Sequence, residues 1–162
     1  MTTVATRRQL VTCEAAAELF ALDIHSVERV LRYTAPRQVP NSAPWLRGVI
    51  THGARLVPVL DLRERLSLPV APDDVRSRIV VVTLDEGPIG VIVDAVHEVA
   101  TVEATAIEEP PAVYRGLAKE FVQGIVRRGE RLFVLLDVDR LVSSTERLEM
   151  RAAVLAGGLD GR

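Results

Sequence analysis

The sequence has a single cysteine, Cys13, so no internal disulfide and no cysteine-built metal cage can form. Leu10, Val11 and Thr12 beside it predict a strand, and no neighbouring histidine or basic residue activates the thiol, so an inert buried cysteine is expected. Aromatic residues make up only 4% and are scattered as Phe20, Tyr33, Trp45, Tyr114, Phe121 and Phe133. They offer no run of stacking platforms for single-stranded nucleic acid. Basic charge is not in excess either, since 20 Lys and Arg stand against 22 Asp and Glu. A phosphate-backbone binder needs a basic footprint, so nucleic acid is excluded as a partner. Aliphatic runs such as Ile79 to Val82 and Phe133 to Leu136 fall far short of the roughly 20 residues of a spanning helix. Met1 to Gln9 carries Arg7 and Arg8 and no apolar leader core, which predicts a cytoplasmic protein without direct membrane insertion.

What the chain does have is an ordinary globular balance, 48% hydrophobic and 26% charged over 162 residues, enough for one domain or two halves sharing a core. Its strongest feature is internal. Gly48-Val-Ile-Thr-His-Gly-Ala-Arg-Leu-Val-Pro-Val-Leu-Asp61 matches Gly124-Ile-Val-Arg-Arg-Gly-Glu-Arg-Leu-Phe-Val-Leu-Leu-Asp137 at a constant offset of 76 residues (124 − 48). Each copy reads as strand, tight turn, strand and helix start, with Gly53 and Gly129 supplying the positive φ a hairpin requires. A weaker echo relates Glu18–Val30 to Pro88–Val99, with one helical turn expected at Val27/Val30 and at Val96/Val99 from their i, i+3 spacing. The pattern predicts a mainly β fold of two small barrels related by duplication, with short helices and a C-terminal helix. Subdomain one spans about 9–66, subdomain two about 77–142 and the helix about 143–156, with the boundary in the loop Leu66–Arg78.

Local details follow. Pro58 falls mid-strand, so that strand is expected to be an edge or to carry a bulge, and Val134 replaces it in the second copy. Asp61 with Glu64, and Ser143 with Glu146, have capping-box spacing. On the C-terminal helix, Leu141, Thr145, Leu148, Ala152 and Leu155 share one face, expected to pack on the core, and Gly157–Arg162 is expected to be disordered. The predicted core holds Phe20, Leu22, Ile24, Val49, Leu56, Val59, Leu60, Ile79, Val81, Val91, Val93, Ile125, Leu132 and Leu135.

No constellation for catalysis emerges. His25, His52 and His97 lie in separate segments without a second ligand at zinc spacing, and no phosphate loop, nucleotide fingerprint or hydrolase elbow is present. Asp61, Asp94 and Asp137 follow apolar strands, where an enzyme would place acids, but two of them begin helical turns that a cap explains. The sequence therefore predicts no catalytic residue, no metal and no cofactor. An enzyme using Asp61 or Asp137 is the remote alternative.

The segments Phe20-x-Leu-Asp-Ile24, Val39-Pro-Asn-Ser-Ala-Pro-Trp-Leu-Arg-Gly-Val-Ile50, Leu56-Val-Pro-Val-Leu-Asp-Leu-Arg63, Ile89-Gly-Val-Ile-Val-Asp-Ala-Val96 and Phe121-Val-Gln-Gly124 stand in this order. With the closing Leu-Leu-Asp137 they resemble the CheW family, the coupling proteins of bacterial chemotaxis arrays, over Gln9 to Ser143. The resemblance implies two SH3-like five-stranded barrels around a shared core and a non-catalytic adaptor. Its implied partners are the regulatory domain of a CheA-type histidine kinase, the cytoplasmic tip of a chemoreceptor, and other CheW-like proteins. By the same resemblance, Leu46, Val49, His52, Arg55 and Val57 face the kinase, and Val27, Glu28, Arg29, Val30, Val80 and Val82 line the receptor groove. Two departures stand out: Arg29 replaces a family acid and Gly53 a family arginine, while Glu28 and Arg55 stand nearby as a substitute pair in shifted register. The alternative within the family is an accessory protein that kept only one of the two interfaces and tunes or links an array without binding the kinase.

Overall fold

The computed structural model describes residues 6–110 and 119–160. The strands are β1 (Arg7–Ala15), β2 (Glu18–Asp23), β3 (Val27–Arg32), β4 (Leu46–His52), β5 (Arg55–Asp61), β6 (Arg78–Leu84), β7 (Gly87–Val93), β8 (Ala95–Glu103), β9 (Ile107–Glu108), β10 (Val122–Arg128) and β11 (Arg131–Leu136). Helix α1 (Leu62–Arg65) follows β5, and α2 (Ser144–Asp160) closes the described chain. The architecture is the expected one, mainly β and duplicated into two small SH3-like barrels.

The halves, however, exchange strands. One sheet has the order β3-β6-β7-β5-β4, the other β8-β1-β2-β11-β10-β9. Each barrel therefore joins the later strands of one repeat to the first two of the other, through the parallel pairs β5·β7 and β11·β2. The boundaries expected at 9–66 and 77–142 are corrected accordingly. Barrel one is the continuous stretch 27–93, and barrel two is assembled from residues on either side of it. The loop Leu66–Arg78 has linker chemistry but connects β5 to β6 inside one sheet. The second sheet also gains a sixth strand, the two-residue β9.

Proline 58 shows its chemistry at the exchange seam. Strand β5 is an interior strand, not an edge, yet its parallel pairing to β7 begins only at Val59. The matching pair in barrel two begins at Val134, the residue that replaces the proline and has the N–H it lacks. The antiparallel pair β4·β5 carries its bulge on β4, between Leu46 and Gly48.

The helical turns expected at Val27/Val30 and Val96/Val99 are strand instead. Strand β3 is bulged at Glu28, because Val27 pairs with Val82 and Arg29 with the adjacent Val81. Strand β8 is bulged at His97–Glu98, because Val96 pairs with Cys13 and Val99 with Val11. An extra residue puts positions three apart on one face of a strand, which reproduces the spacing of a helical turn. A 3-10 turn, Ile24–Ser26, precedes β3 and is capped by Asp23. Asp23 also pairs with Arg8 at 2.7 Å.

Most of the predicted core is buried, while Ile24, Leu56 and Leu132 are only half-buried. Cys13 is fully buried, and burial pushes its thiol up to about 12. The Ser143/Glu146 capping box forms in both directions, at 2.8 and 3.2 Å. Asp61 caps α1 through the Arg63 N–H, but its own N–H goes to the Trp45 carbonyl, so the box with Glu64 does not close. Helix α2 is rotated from the expected face: Met150 and Ala153 are buried, Leu148 and Leu155 exposed at 69% and 66%. It also runs on through Gly157–Asp160, which the sequence left disordered, while residues 161–162 lie outside the described residues.

The barrels meet at Arg63. Its side chain is 0% exposed and holds Asp61 with two hydrogen bonds of 2.9 Å, Asp73 at 3.0 Å, Asp94 at 2.8 Å and the Ala71 carbonyl oxygen at 2.9 Å. Arg47 adds a second guanidinium, 2.6 Å from Asp61. Asp94, between β7 and β8, accepts from the Ala16 N–H at 2.7 Å. Ala16 and Ala17 form the β1–β2 turn with φ of 52° and 64°, a left-handed conformation usually left to glycine and asparagine. One buried cation thus binds α1, the β5–β6 loop and the link between barrels, and steadies a strained turn through Asp94.

Gly48 and Gly124 are identical in the two copies because a crossing segment lies against each. A Cβ on Gly48 (φ +143°) would stand 2.0 Å from the Arg37 carbonyl oxygen, and one on Gly124 2.5 Å from Ile107 Cγ2. At Gly53 (φ +62°) a Cβ would meet nothing within 4 Å. Gly48→Ala is expected to cost about 3 kcal/mol or more, and Gly53→Ala about 1 kcal/mol. Urea unfolding of both variants checks the ranking, and equal losses would contradict it.

The Arg63 cluster predicts an acid transition. Burial works to raise the Asp61 pKa, but hydrogen bonds and charge from Arg63, with Arg47 adding to them, outweigh it and hold Asp61 below the usual range. A depressed folded pKa contributes stability that is complete above the unfolded value, about 4, and is lost as pH falls through the folded one. Unfolding free energy measured between about pH 5 and pH 2 should fall less steeply in Asp61→Asn than in wild type. Arg63→Ala leaves the buried Asp61 to Arg47 alone among the described residues and should cost about 3–5 kcal/mol near neutral pH.

Candidate protein-docking faces

Strand β3 ends its sheet, and its bulge at Glu28 decides which side chains reach solvent. Glu28, Arg29 and Val30 are exposed, Val30 at 40%, while Val27 is half-buried against the main core. Val80 and Val82, expected in the same groove, are 0% exposed. They belong to β6, an interior strand covered by β3 and β7, so they form the floor of the barrel and no partner reaches them. Of the residues expected there, Val27, Glu28, Arg29 and Val30 reach the surface.

The expected kinase-facing set divides in the same way. Leu46, Val49 and Val57 are 7%, 6% and 0% exposed, because β4 and β5 turn these side chains inward. His52 is half-buried and Arg55 exposed, both at the tip of the β4–β5 hairpin. A charge placed at Val57 would therefore unfold barrel one before it tested any partner.

The two faces touch. Arg55 Nη2 donates to Glu28 Oε1 at 2.5 Å, joining the hairpin tip to the end strand. Both side chains are about a third to a half exposed, so the pair itself stabilises the fold by no more than about 1 kcal/mol. Barrel two has a counterpart in Arg128–Glu98, 3.2 Å apart, which links β10 to the bulge of β8. In the echo Arg29 stands where the second copy has Glu98, and Arg29 makes no ion pair among the described residues. Val99 on β8 repeats Val30, exposed at 50% beside the half-buried Val96. This second valine edge is hidden in the sequence, because the bulge between Val96 and Val99 imitates the spacing of a helical turn.

The acids tested for catalysis are occupied in structural contacts. Asp61 and Asp94 hold Arg63, and Asp137 accepts the Asp139 N–H at 3.1 Å. His97 lies 3.3 Å from Glu14, and among the described residues no three His, Cys, Asp or Glu side chains cluster as metal ligands. No described helix is long and apolar enough to cross a membrane.

A model of the CheW-like domain matches residues 9–146. The chemotaxis protein CheW of Treponema pallidum is 28% identical over 142 residues, 85% of this chain and 84% of that protein. The chemotaxis protein CheW of Bacillus subtilis is 28% identical over 123 residues, 76% of this chain and 79% of that protein. The crystal structure of scaffolding protein TtCheW from Thermoanaerobacter tengcongensis superposes with a TM-score of 0.80 at 28% identity, over 87% of this chain and 96% of that one. The chain belongs to the family of CheW-like domains.

Proposed function

We propose that the protein is a non-catalytic adaptor that couples chemoreceptors to a CheA-type histidine kinase in a chemosensory array. The carrying observation is the Glu28–Arg55 contact, which links an end strand exposing Val30 to a hairpin tip exposing Arg55. A coupler needs two docking faces in fixed relation, and one ion pair spans these two. The receptor tip, a helical hairpin, docks on Val27, Glu28, Arg29 and Val30, burying the valines while the charges select the partner. The kinase regulatory domain docks at the hairpin tip with His52 and Arg55. The second valine edge, Val96 and Val99, offers a further face for another CheW-like protein. Array association places the protein in the cytoplasm beside its receptors.

The departure at Arg29 favours one second reading, an accessory protein that binds only one of the two partners. An exposed cation where the other copy has Glu98 repels a basic partner and attracts an acidic one. Purified receptor tip and kinase regulatory domain, each titrated against wild type, separate the readings. Val30→Asp should weaken receptor binding about tenfold or more with kinase binding and Tm unchanged. Arg55→Glu should weaken kinase binding. Arg29→Glu avoids the left-handed Gly53 and should shift preference toward receptor tips that carry a basic residue. Binding to one partner alone selects the accessory reading, and binding to neither at micromolar concentration overturns both.

A further inference from the structure

Helix α2 is fastened with Leu148 and Leu155 turned away from the barrels. Arg65 reaches Glu146 with two hydrogen bonds of 2.8 and 2.6 Å and donates to the Leu141 carbonyl oxygen at 2.7 Å. Its guanidinium lies 4.8 Å from the Trp45 ring centre and 4.9 Å from that of Phe121. Arg147 bonds Glu86 at 2.9 Å and the Val142 carbonyl oxygen at 3.1 Å. These contacts fix the rotation of the helix, so that it seats on Met150 and Ala153. An amphipathic helix left to burial alone would seat its leucines.

The exposed side has the spacing of a helix-pairing seam. Thr145, Leu148, Ala152 and Leu155 recur at intervals of three, four and three residues, which are a and d positions of a heptad. All four are exposed, the leucines at 69% and 66%. In that register Glu149 is an e residue and Arg151 a g residue. Both are exposed, and neither has an ion-pair partner among the described residues. Arg151 reaches only the Glu86 carbonyl oxygen, at 2.7 Å.

The flanking charges decide between occupants. Across an antiparallel seam, like flanks face each other, so a second copy would set Glu149 against Glu149 and Arg151 against Arg151. A parallel copy would place Arg151 opposite Ala156 and Glu149 opposite Ser144, with no ion pair. A foreign helix can satisfy both charges at once.

We propose that the outward face of α2 docks an amphipathic helix of another protein, with an apolar a/d seam, a basic residue facing Glu149 and an acidic residue facing Arg151. This surface is additional to the β3 and β4–β5 faces and does not depend on them. Its test uses neither kinase nor receptor. The probe is a lactam-constrained helical peptide of about 18 residues, since unconstrained helices of that length are marginal in water. It carries a leucine seam with lysine opposite Glu149 and glutamate opposite Arg151, and a second peptide has the two charges exchanged. The matched peptide should bind the full chain about tenfold more tightly than the exchanged one. Leu148→Lys with Leu155→Lys should abolish binding, while Trp45 fluorescence and Tm stay unchanged because both leucines are already in solvent. Equal binding of the two peptides, or none, overturns the proposal. So does a dimer in sedimentation velocity that the double variant dissolves, since the seam would then belong to a second copy.

Discussion

A guanidinium with no access to water governs this fold. Arg63 stands where β5 ends, and its carboxylate partners come from β5, the β5–β6 loop and the link from β7 to β8. Taking such a charge out of water costs several kcal/mol, and only multiple well-aligned contacts offset it. The arrangement is therefore tolerated in one geometry and in few others. It sets the loop against barrel one and, through Asp94, holds barrel two to barrel one at the point where the chain passes between them. The two proposed coupling faces lie on barrel one, and the junction fixes the Val96–Val99 edge of barrel two relative to them.

Duplication with exchange explains why the junction is needed. Each barrel borrows two strands from the other repeat, so neither repeat folds into a barrel alone. The parallel seams β5·β7 and β11·β2 are short, and packing of the shared core carries the rest. The copies differ in charge at their bulged strands β3 and β8. Barrel two has an acid at Glu98, held by Arg128, whereas in barrel one the acid is Glu28 and the base Arg55, which leaves Arg29 in solvent.

Much of this was legible in the residues. The repeated Gly-x-x-x-x-Gly pattern marks both a close crossing, at Gly48 and Gly124, and a left-handed turn, at Gly53 and Gly129. The substitute pair Glu28 and Arg55 could also be named from the two family departures. The exchange of strands could not, because a repeat offset tells which segments are alike and not which are paired. Valines three apart on β3 and β8 imitated a helical turn, since a bulge restores them to one face. The candidate faces then included Val57, Val80 and Val82, because alternation along a strand does not reveal whether both sides are covered. The rotation of α2 was hidden for another reason: ion pairs of Glu146 and Arg147 with distant residues override its apolar stripe.

A coupler holds two partners at once, here on the proposed faces joined by Glu28 and Arg55. Sedimentation velocity of wild type mixed with purified kinase regulatory domain and receptor tip tests it directly. The coupling role requires a ternary species containing all three, in which each partner binds as well in the presence of the other as alone. Displacement of the kinase domain by the receptor tip would show that the two compete for one face, and would contradict the coupling role.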